Sequence, residues 1–371
     1  MAALVALLGV LAVWHPARVA VQALLLLPAL FPQAPIDPLG LLSAPPSHTS
    51  QTLQYAGGQI QTDLFAPGGG ASDTRHGAVV LLLGAGDVPR SDLAIRFAGA
   101  LARSGVVVLL AQSDGLLAER LSFQEVDGIR AEVSLLDAQP NVDQQRVGIV
   151  ALSAAGGLSI VAAAQPGVRD NVAFVNSFGS YANARTLLLD VASRSIEPFD
   201  NVVQPWSPEQ RTIEVIAIAL IDTLPDDADR RLLRQAFVEH APVDEAGWAG
   251  LSPAAQRIRE LLEGTSREQA AADIAALPAA TLARLDELSP TSYLDQLHAR
   301  LYLMHDVDDP FIPFTESREL ARQAPPGIVQ RFTEFSIFAH VIPDRPVPWQ
   351  TFVPDLWQLF WHVHAVLLEL I

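Results

Sequence analysis

Residues 146–164 read RVGIVALSAAGGLSIVAAA. The run VGIVAL is continuously apolar, which is typical of a strand that is covered on both faces of a sheet. The small residues after it predict a helix that extends to about Ala164, so Ser153 lies where the strand ends and the helix begins. A buried strand followed at once by a closely packed helix is typical of an α/β protein with a parallel sheet.

The same alternation of strands and helices continues on both sides of this stretch. Residues 51–66 predict two short strands around Gly57-Gly58. Further strands are expected at residues 79–83, 106–111, 171–176, 301–305 and 328–338, and helices at about 91–103, 123–138, 315–323 and 349–370. Strands that alternate with helices imply a doubly wound, mostly parallel sheet.

Three segments depart from this alternation. Residues 182–290 predict several short helices separated by prolines, which we interpret as a helical lid inserted into a core of residues 51–181 and 291–371. Residues 32–50 contain five prolines and are interpreted as a linker. Residues 1–31 form an apolar N-terminal segment in which Arg18 is the only formal charge.

The apolar segment 1–31 has three interpretations. A membrane anchor is the first, because thirty residues of helix extend about 45 Å and a hydrocarbon core is about 30 Å thick. Arg18 argues against a straight span, since a charge is costly inside a bilayer. A secretory signal is the second, and a helix packed against the body or in an oligomer is the third. The sequence thus predicts association with the bacterial cell membrane, with a secreted or a cytoplasmic protein as alternatives.

The composition excludes several kinds of chemistry. The chain of 371 residues has no Cys, which excludes disulfides, zinc–thiolate sites, iron–sulfur clusters and a Cys nucleophile. Its 24 basic residues are all Arg, which excludes Schiff-base lysines and Walker-type phosphate sites. The net charge of −17 disfavours nucleic acid as a partner, because phosphates bind to basic surfaces.

Ser153 is the first candidate for a catalytic residue. A nucleophile at the end of a strand needs a sharp turn, and that turn admits only small residues two positions before and after it. Ala151 and Ala155 occupy those positions, and Gly156-Gly157 allow the helix to approach closely. The alternative is an ordinary turn in which Ser153 caps the helix.

A catalytic serine also needs a base and an acid that orients the base. His340 follows the strand predicted at 328–338, and the acidic segment HDVDDPFIPF, residues 305–314, follows the strand predicted at 301–305. Ligands of such sheets bind at the carboxyl ends of the strands, where these residues are expected. A buried structural histidine is the alternative for His340.

The order of serine, acid and histidine resembles the α/β-hydrolase superfamily, nearest to bacterial esterases and dienelactone-hydrolase-like members. The resemblance covers about residues 51–180 and 290–371. The family segment His-Gly-x-x-Asp-x-x-Val-Pro falls on His305 to Pro313, so the resemblance implies Asp309 as the acid, with Asp308 as the second choice. Asp306 stands where the family has Gly.

The resemblance also implies an oxyanion hole. Its donors are the backbone N–H of Ala154, after the nucleophile, and that of Ala85 in the loop GAGD, with Gly86 as the alternative. The implied function is a serine hydrolase that cleaves carboxylic esters through an acyl-enzyme. An apolar lid combined with a membrane anchor favours lipophilic small-molecule ester or acyl substrates. No cofactor and no metal are expected. The alternatives are a serine peptidase or amidase on the same fold, and a catalytically silent, membrane-associated binding protein.

Overall fold

A computed structural model describes residues 14–34, 36–69, 74–86, 92–198, 202–343 and 345–371. Its centre is an eight-stranded sheet. Within these residues its strands are β1 (Ser47–Tyr55), β2 (Gly58–Ala66), β3 (His76–Leu82), β4 (Val107–Ser113), β5 (Val142–Leu152), β6 (Phe174–Phe178), β9 (Arg300–Asp306) and β10 (Val329–Phe335). They lie side by side in the order β1-β2-β4-β3-β5-β6-β9-β10. The hairpin β1–β2 and the pair β2–β4 are antiparallel, and the other neighbours run parallel.

Helices cover both faces of the sheet, as the continuously apolar central strands require. On β3, Val80 and Leu82 pack on one face, whereas Val79 and Leu81 pack on the other. The first face carries α5 (Phe123–Asp137), α6 (Ala154–Ala163) and α14 (Phe314–Gln323), near the one-turn α4 (Asp114–Leu117). The second face carries α1 (His15–Leu26), α3 (Asp92–Arg103) and α15 (Trp349–Leu367). The α/β fold and the mostly parallel sheet predicted from the sequence are therefore confirmed.

A block of helices lies between β6 and β9, where the alternation of the sequence stops. It packs around its own cluster of buried aliphatic residues and also contains a short ribbon of two strands. Its elements are α7 (Ala184–Ser193), β7 (Ser195–Ile196), β8 (Gln204–Pro205), α8 (Gln210–Ile221), α9 (Asp227–Phe237), α10 (Glu245–Ala249), α11 (Pro253–Glu263), α12 (Arg267–Ala275) and α13 (Ala279–Glu287). We refer to residues 184–287 as the helical insertion.

The N-terminal segment packs on the body over its described part. Helix α1 contacts α15 and buries Val19, Ala23 and Leu26, and it continues into a 3₁₀ turn at Leu27–Leu30. Residues 1–13 of the predicted anchor lie outside the described residues. Within the described ranges, no helix combines the length and hydropathy needed to cross a bilayer.

The linker predicted over residues 32–50 is wrong in part. A one-turn helix, α2 (Pro38–Leu42), lies within it, and β1 already begins at Ser47 rather than at residue 51. The reason is that β1 is an edge strand whose residues are largely exposed on both faces. Its first half, SHTSQT, therefore lacks the alternation of apolar and polar residues that reveals a half-buried strand.

Candidate active site

Ser153 lies in a strained turn at the carboxyl end of β5. Its backbone angles are φ 56° and ψ −140°, a conformation that costs a residue with a side chain on the order of 1–3 kcal/mol. Two hydrogen bonds hold the turn: the Ser153 amide donates to the Phe178 carbonyl at 2.7 Å, and the Gly156 amide donates to the Ser153 carbonyl at 2.9 Å. The sharp turn predicted between strand and helix is therefore present.

Glycines allow three neighbouring segments to approach this turn. A Cβ on Gly84 would lie 2.7 Å from the Cβ of Ser153, so the loop after β3 passes directly beside the serine. Cβ atoms on Gly156 and Gly157 would lie 2.3 Å from Ser177 Oγ and 2.6 Å from the Tyr181 ring. Residues with side chains at these positions would push α6 or the loop away from Ser153.

His340 and Asp309 form a buried pair. The Nδ1 atom of His340 lies 2.5 Å from Asp309 Oδ2, and both residues are at most 8% exposed. The other oxygen of Asp309 accepts hydrogen bonds from the amides of Phe311 and Ile312 at 2.7 and 3.1 Å. His340 has φ 65°, so it too is held in a conformation that is uncommon for a residue with a side chain.

The surroundings of Asp309 keep its carboxylate ionised. Burial by itself raises the pKa of Asp309, but the nearby His340 and His305 outweigh this effect and lower the pKa below its ordinary value. His305 Nε2 lies 3.4 Å from Asp309 Oδ2. An ionised acid at this position fixes the tautomer of His340, with its proton on Nδ1 and its Nε2 free to accept another.

The second-choice acid, Asp308, does not reach His340. Its carboxylate pairs with Arg345 at 2.6 Å and is 59% exposed. Asp306, which stands at the family's Gly position, is buried and links two loops, because it accepts hydrogen bonds from the amides of Asp308 and Phe338. Burial raises the pKa of Asp306 to about 6.

Ser153 and His340 flank the same turn and line the same cavity. Ser153 is bonded to Phe178 through its amide, and a Cβ on the next residue, Gly179, would lie 3.2 Å from the His340 ring. Among the described residues, the Ser153 hydroxyl has no hydrogen-bond partner, so the bond to His340 is not formed in this structure. Such bonds are often long in ligand-free enzymes and form when substrate binds.

Two of the three predicted oxyanion donors lie beside Ser153. Ala85 lines the cavity together with Ser153. Ala154 is the first residue of α6, where a helix leaves its amides without internal partners. The amide of Gly86, the alternative donor, is already bonded to the Leu116 carbonyl at 2.6 Å. Because the Gly86 amide is bonded elsewhere, Ala85 stays the predicted donor from this loop.

Several residues at the site are not among the predicted catalytic or oxyanion residues. From the helical insertion, Trp206 Nε1 donates to the Asp309 carbonyl at 3.0 Å, and Thr212 Oγ1 donates to the Phe311 carbonyl at 2.9 Å. Arg211 lines the cavity beside Gly86, and its Nε lies 3.0 Å from Glu119 Oε1. The hydrogen bonds of Trp206 and Thr212 dock the insertion onto the loop that carries Asp309. A lone Trp or Arg has no motif that distinguishes this role from packing.

The fold is shared with known hydrolases. A protein from Bacteroides ovatus assigned as a dipeptidyl aminopeptidase IV superposes with a TM-score of 0.51 at 12% identity, over 85% of this chain and 36% of that one. A puromycin hydrolase mutant complexed with PGG superposes with a TM-score of 0.50 at 16% identity, over 90% of this chain and 40% of that one. The chain has the α/β-hydrolase fold.

The sequence itself matches no protein-family model and no curated protein. The chain spans well under half the length of these two structural neighbours. The superfamily predicted from the sequence is therefore supported at the level of the α/β-hydrolase fold. The finer resemblance to esterases and dienelactone hydrolases is not.

Proposed function

We propose that this α/β-hydrolase-fold protein is a serine hydrolase that cleaves carboxylic esters through an acyl-enzyme, with Ser153, His340 and Asp309 as its triad. One observation carries the proposal: His340, which is paired with the buried carboxylate of Asp309, lines the same cavity as a serine in a strained turn. A serine that merely capped α6 would not need this turn, and its side chain makes no capping hydrogen bond.

In the proposed reaction His340 Nε2 takes the proton of the Ser153 hydroxyl, and Oγ attacks the substrate carbonyl. Asp309 stabilises the imidazolium that forms. The amides of Ala85 and Ala154 donate to the oxyanion of the tetrahedral intermediate. Collapse of the intermediate breaks the bond to the alcohol, which leaves with the proton from His340. Water then attacks the acyl-enzyme through the same base and releases the acid.

A serine peptidase or amidase is the second candidate. It is favoured by the two structural neighbours, which are assigned as a dipeptidyl aminopeptidase and a puromycin hydrolase. Triad chemistry does not choose between esters and amides. A panel of p-nitrophenyl esters and aminoacyl p-nitroanilides separates the two, because a peptidase or amidase cleaves the anilides as well as the activated esters; cleavage of the anilides would contradict the ester proposal.

Labelling with a fluorophosphonate probe tests the proposal directly, because only an activated serine reacts with it. We expect one equivalent of probe on the native protein, located on Ser153 by mass spectrometry of the peptides. Ser153→Ala should remove the label. Ser159→Ala is the matched control, since Ser159 lies on the same helix but is buried and bonded to the Ala155 carbonyl. A native protein that takes no label would support the catalytically silent alternative.

We also propose that the protein rests on a membrane surface, as the N-terminal sequence predicts. The support is a stripe of exposed apolar residues on α15, where Trp349, Val353 and Trp357 recur every fourth residue and are more than half exposed. Trp14 and Leu24 on the adjacent N-terminal segment are also more than half exposed. Tryptophans of this kind are enriched where proteins meet the headgroup layer of a membrane.

Binding to phosphatidylcholine vesicles, which carry no net charge, checks this proposal. We expect the full chain to sediment with the vesicles, and Trp357→Ser to weaken its partition about tenfold, the effect of losing roughly 1.5 kcal/mol of apolar burial. Val203→Ser is the control, because Val203 is 52% exposed but lies in the helical insertion. Equal binding of both variants would contradict the role of the stripe.

A further inference from the structure

The cavity at Ser153 continues far beyond the catalytic residues. It has a volume of about 370 Å³ and extends from Ser153 and His340 into the layer between the sheet and the helices of its second face. Its floor is formed by alternate residues of one strand, Val79, Leu81 and Leu83, which point to the same side of the sheet. Four strand positions correspond to about 13 Å of depth below the serine.

The walls of the cavity come from both ends of the chain. The N-terminal segment contributes Leu26 and Ala29, and α15 with the turn after it contributes Val366, Leu367 and Leu370. Leu26, Leu367 and Leu370 are 1% exposed, so the cavity is closed at the end opposite to Ser153. The N-terminal segment is therefore part of the wall of the site.

The lining is apolar apart from the mouth. Arg211, Ser153 and His340 lie there, and the side-chain oxygen of Asn176, deeper in the wall, is bonded to His362 Nε2 at 2.8 Å. A peptide in this cavity would leave its backbone N–H and C=O groups without partners, which costs several kcal/mol for each group. An unbranched hydrocarbon chain has no such groups and gains from burial.

We infer that this cavity is an acyl-chain tunnel and that the substrates are esters of straight-chain fatty acids. The inference rests on the proposed function, because the acyl group must be attached to Ser153. The acyl part fits the closed end, since it stays covalently bound until water attacks. The alcohol leaves first and requires the open mouth.

A chain-length series on the full chain tests the inference. For p-nitrophenyl dodecanoate we expect kcat/KM at least about tenfold above that for p-nitrophenyl acetate. Ala29→Trp fills the tunnel from its N-terminal wall and should lower the ratio of kcat/KM for dodecanoate to kcat/KM for acetate about tenfold. Leu24→Trp is the matched control, because Leu24 lies on the same segment but is 61% exposed. Val366→Phe fills the tunnel from α15 and repeats the test if Ala29→Trp does not fold.

Binding separates the tunnel from the catalysis. Ser153→Ala has no nucleophile, so its affinity for dodecanoate reports the cavity alone. We expect dodecanoate to bind Ser153→Ala at least about tenfold more tightly than it binds the double variant with Ala29→Trp. Binding without ester hydrolysis by the native protein would overturn the proposed function and leave the tunnel intact. Hydrolysis of acetate esters without binding of dodecanoate, or with no preference for chain length, would overturn the tunnel.

Discussion

Replacing Asp309 by Asn should lower kcat for ester hydrolysis by about four orders of magnitude, with little change in KM. The asparagine keeps the size of the side chain but presents an amide to His340. The ring then carries its proton on Nε2, where it can no longer accept the proton of Ser153. The buried imidazolium of the transition state also loses its counter-ion.

Asp308→Asn is the matched control for this prediction. It removes the same charge one residue earlier, but from a carboxylate that is exposed and paired with Arg345. We expect kcat to change by less than about threefold, since exposed ion pairs contribute little. Steady-state kinetics on one p-nitrophenyl ester, with circular dichroism to verify folding, measures both variants. A large loss in Asp308→Asn, or a small one in Asp309→Asn, would show that the acid has been misassigned.

Replacing Glu316 by Ala should lower the free energy of unfolding by about 3 kcal/mol or more. Glu316 lies on α14 and is 3% exposed. Its Oε2 accepts the amides of Ala182 and Asn183 at 2.7 and 3.0 Å, and its Oε1 accepts the hydroxyl of Thr186 at 2.9 Å. This one side chain thus holds the start of the helical insertion to the core. Without it, two backbone donors are left unpaired.

Urea titrations at several pH values test the role of Glu316. Burial raises the pKa of Glu316 above its ordinary value, so the folded state holds this proton more tightly than the unfolded chain. The contribution of this proton to the free energy of unfolding is therefore largest at acid pH. It falls as the pH rises from the pKa of Glu316 in the unfolded chain through its pKa in the folded state. Glu316→Gln keeps an acceptor and should remove this pH dependence.

Glu319→Ala, which breaks an ion pair with Arg322 on the same helix, is the control and should lower the free energy of unfolding by less than about 1 kcal/mol. Equal losses in the two alanine variants would contradict the anchoring role.

Local signals in the sequence explain why the region around Ser153 was predictable. The apolar run, the alanines on either side of the serine and the two glycines all act within a few residues, and the structure places the strand end and the helix start as expected. The pairing of His340 with Asp309 needed a different kind of information. The two residues are 31 positions apart, and only the resemblance to a family segment selected Asp309 among three nearby acids.

The N-terminal segment shows what the sequence could not decide. An apolar helix has the same composition whether it contacts lipid or the interior of a protein, and its partner here, α15, lies more than 300 residues along the chain. Arg211 was missed for a similar reason. One of 24 arginines has no local signature, and its position beside Gly86 depends on how the whole insertion docks.

The contact between α1 and α15 has a consequence for biosynthesis. Helix α1 leaves the ribosome more than 300 residues before its packing partner. At roughly 5–20 residues per second, its apolar face waits on the order of tens of seconds for that partner. During this time the exposed apolar face makes the nascent chain prone to aggregation. The cavity between α1, α15 and the sheet can therefore close only after α15 has been synthesised.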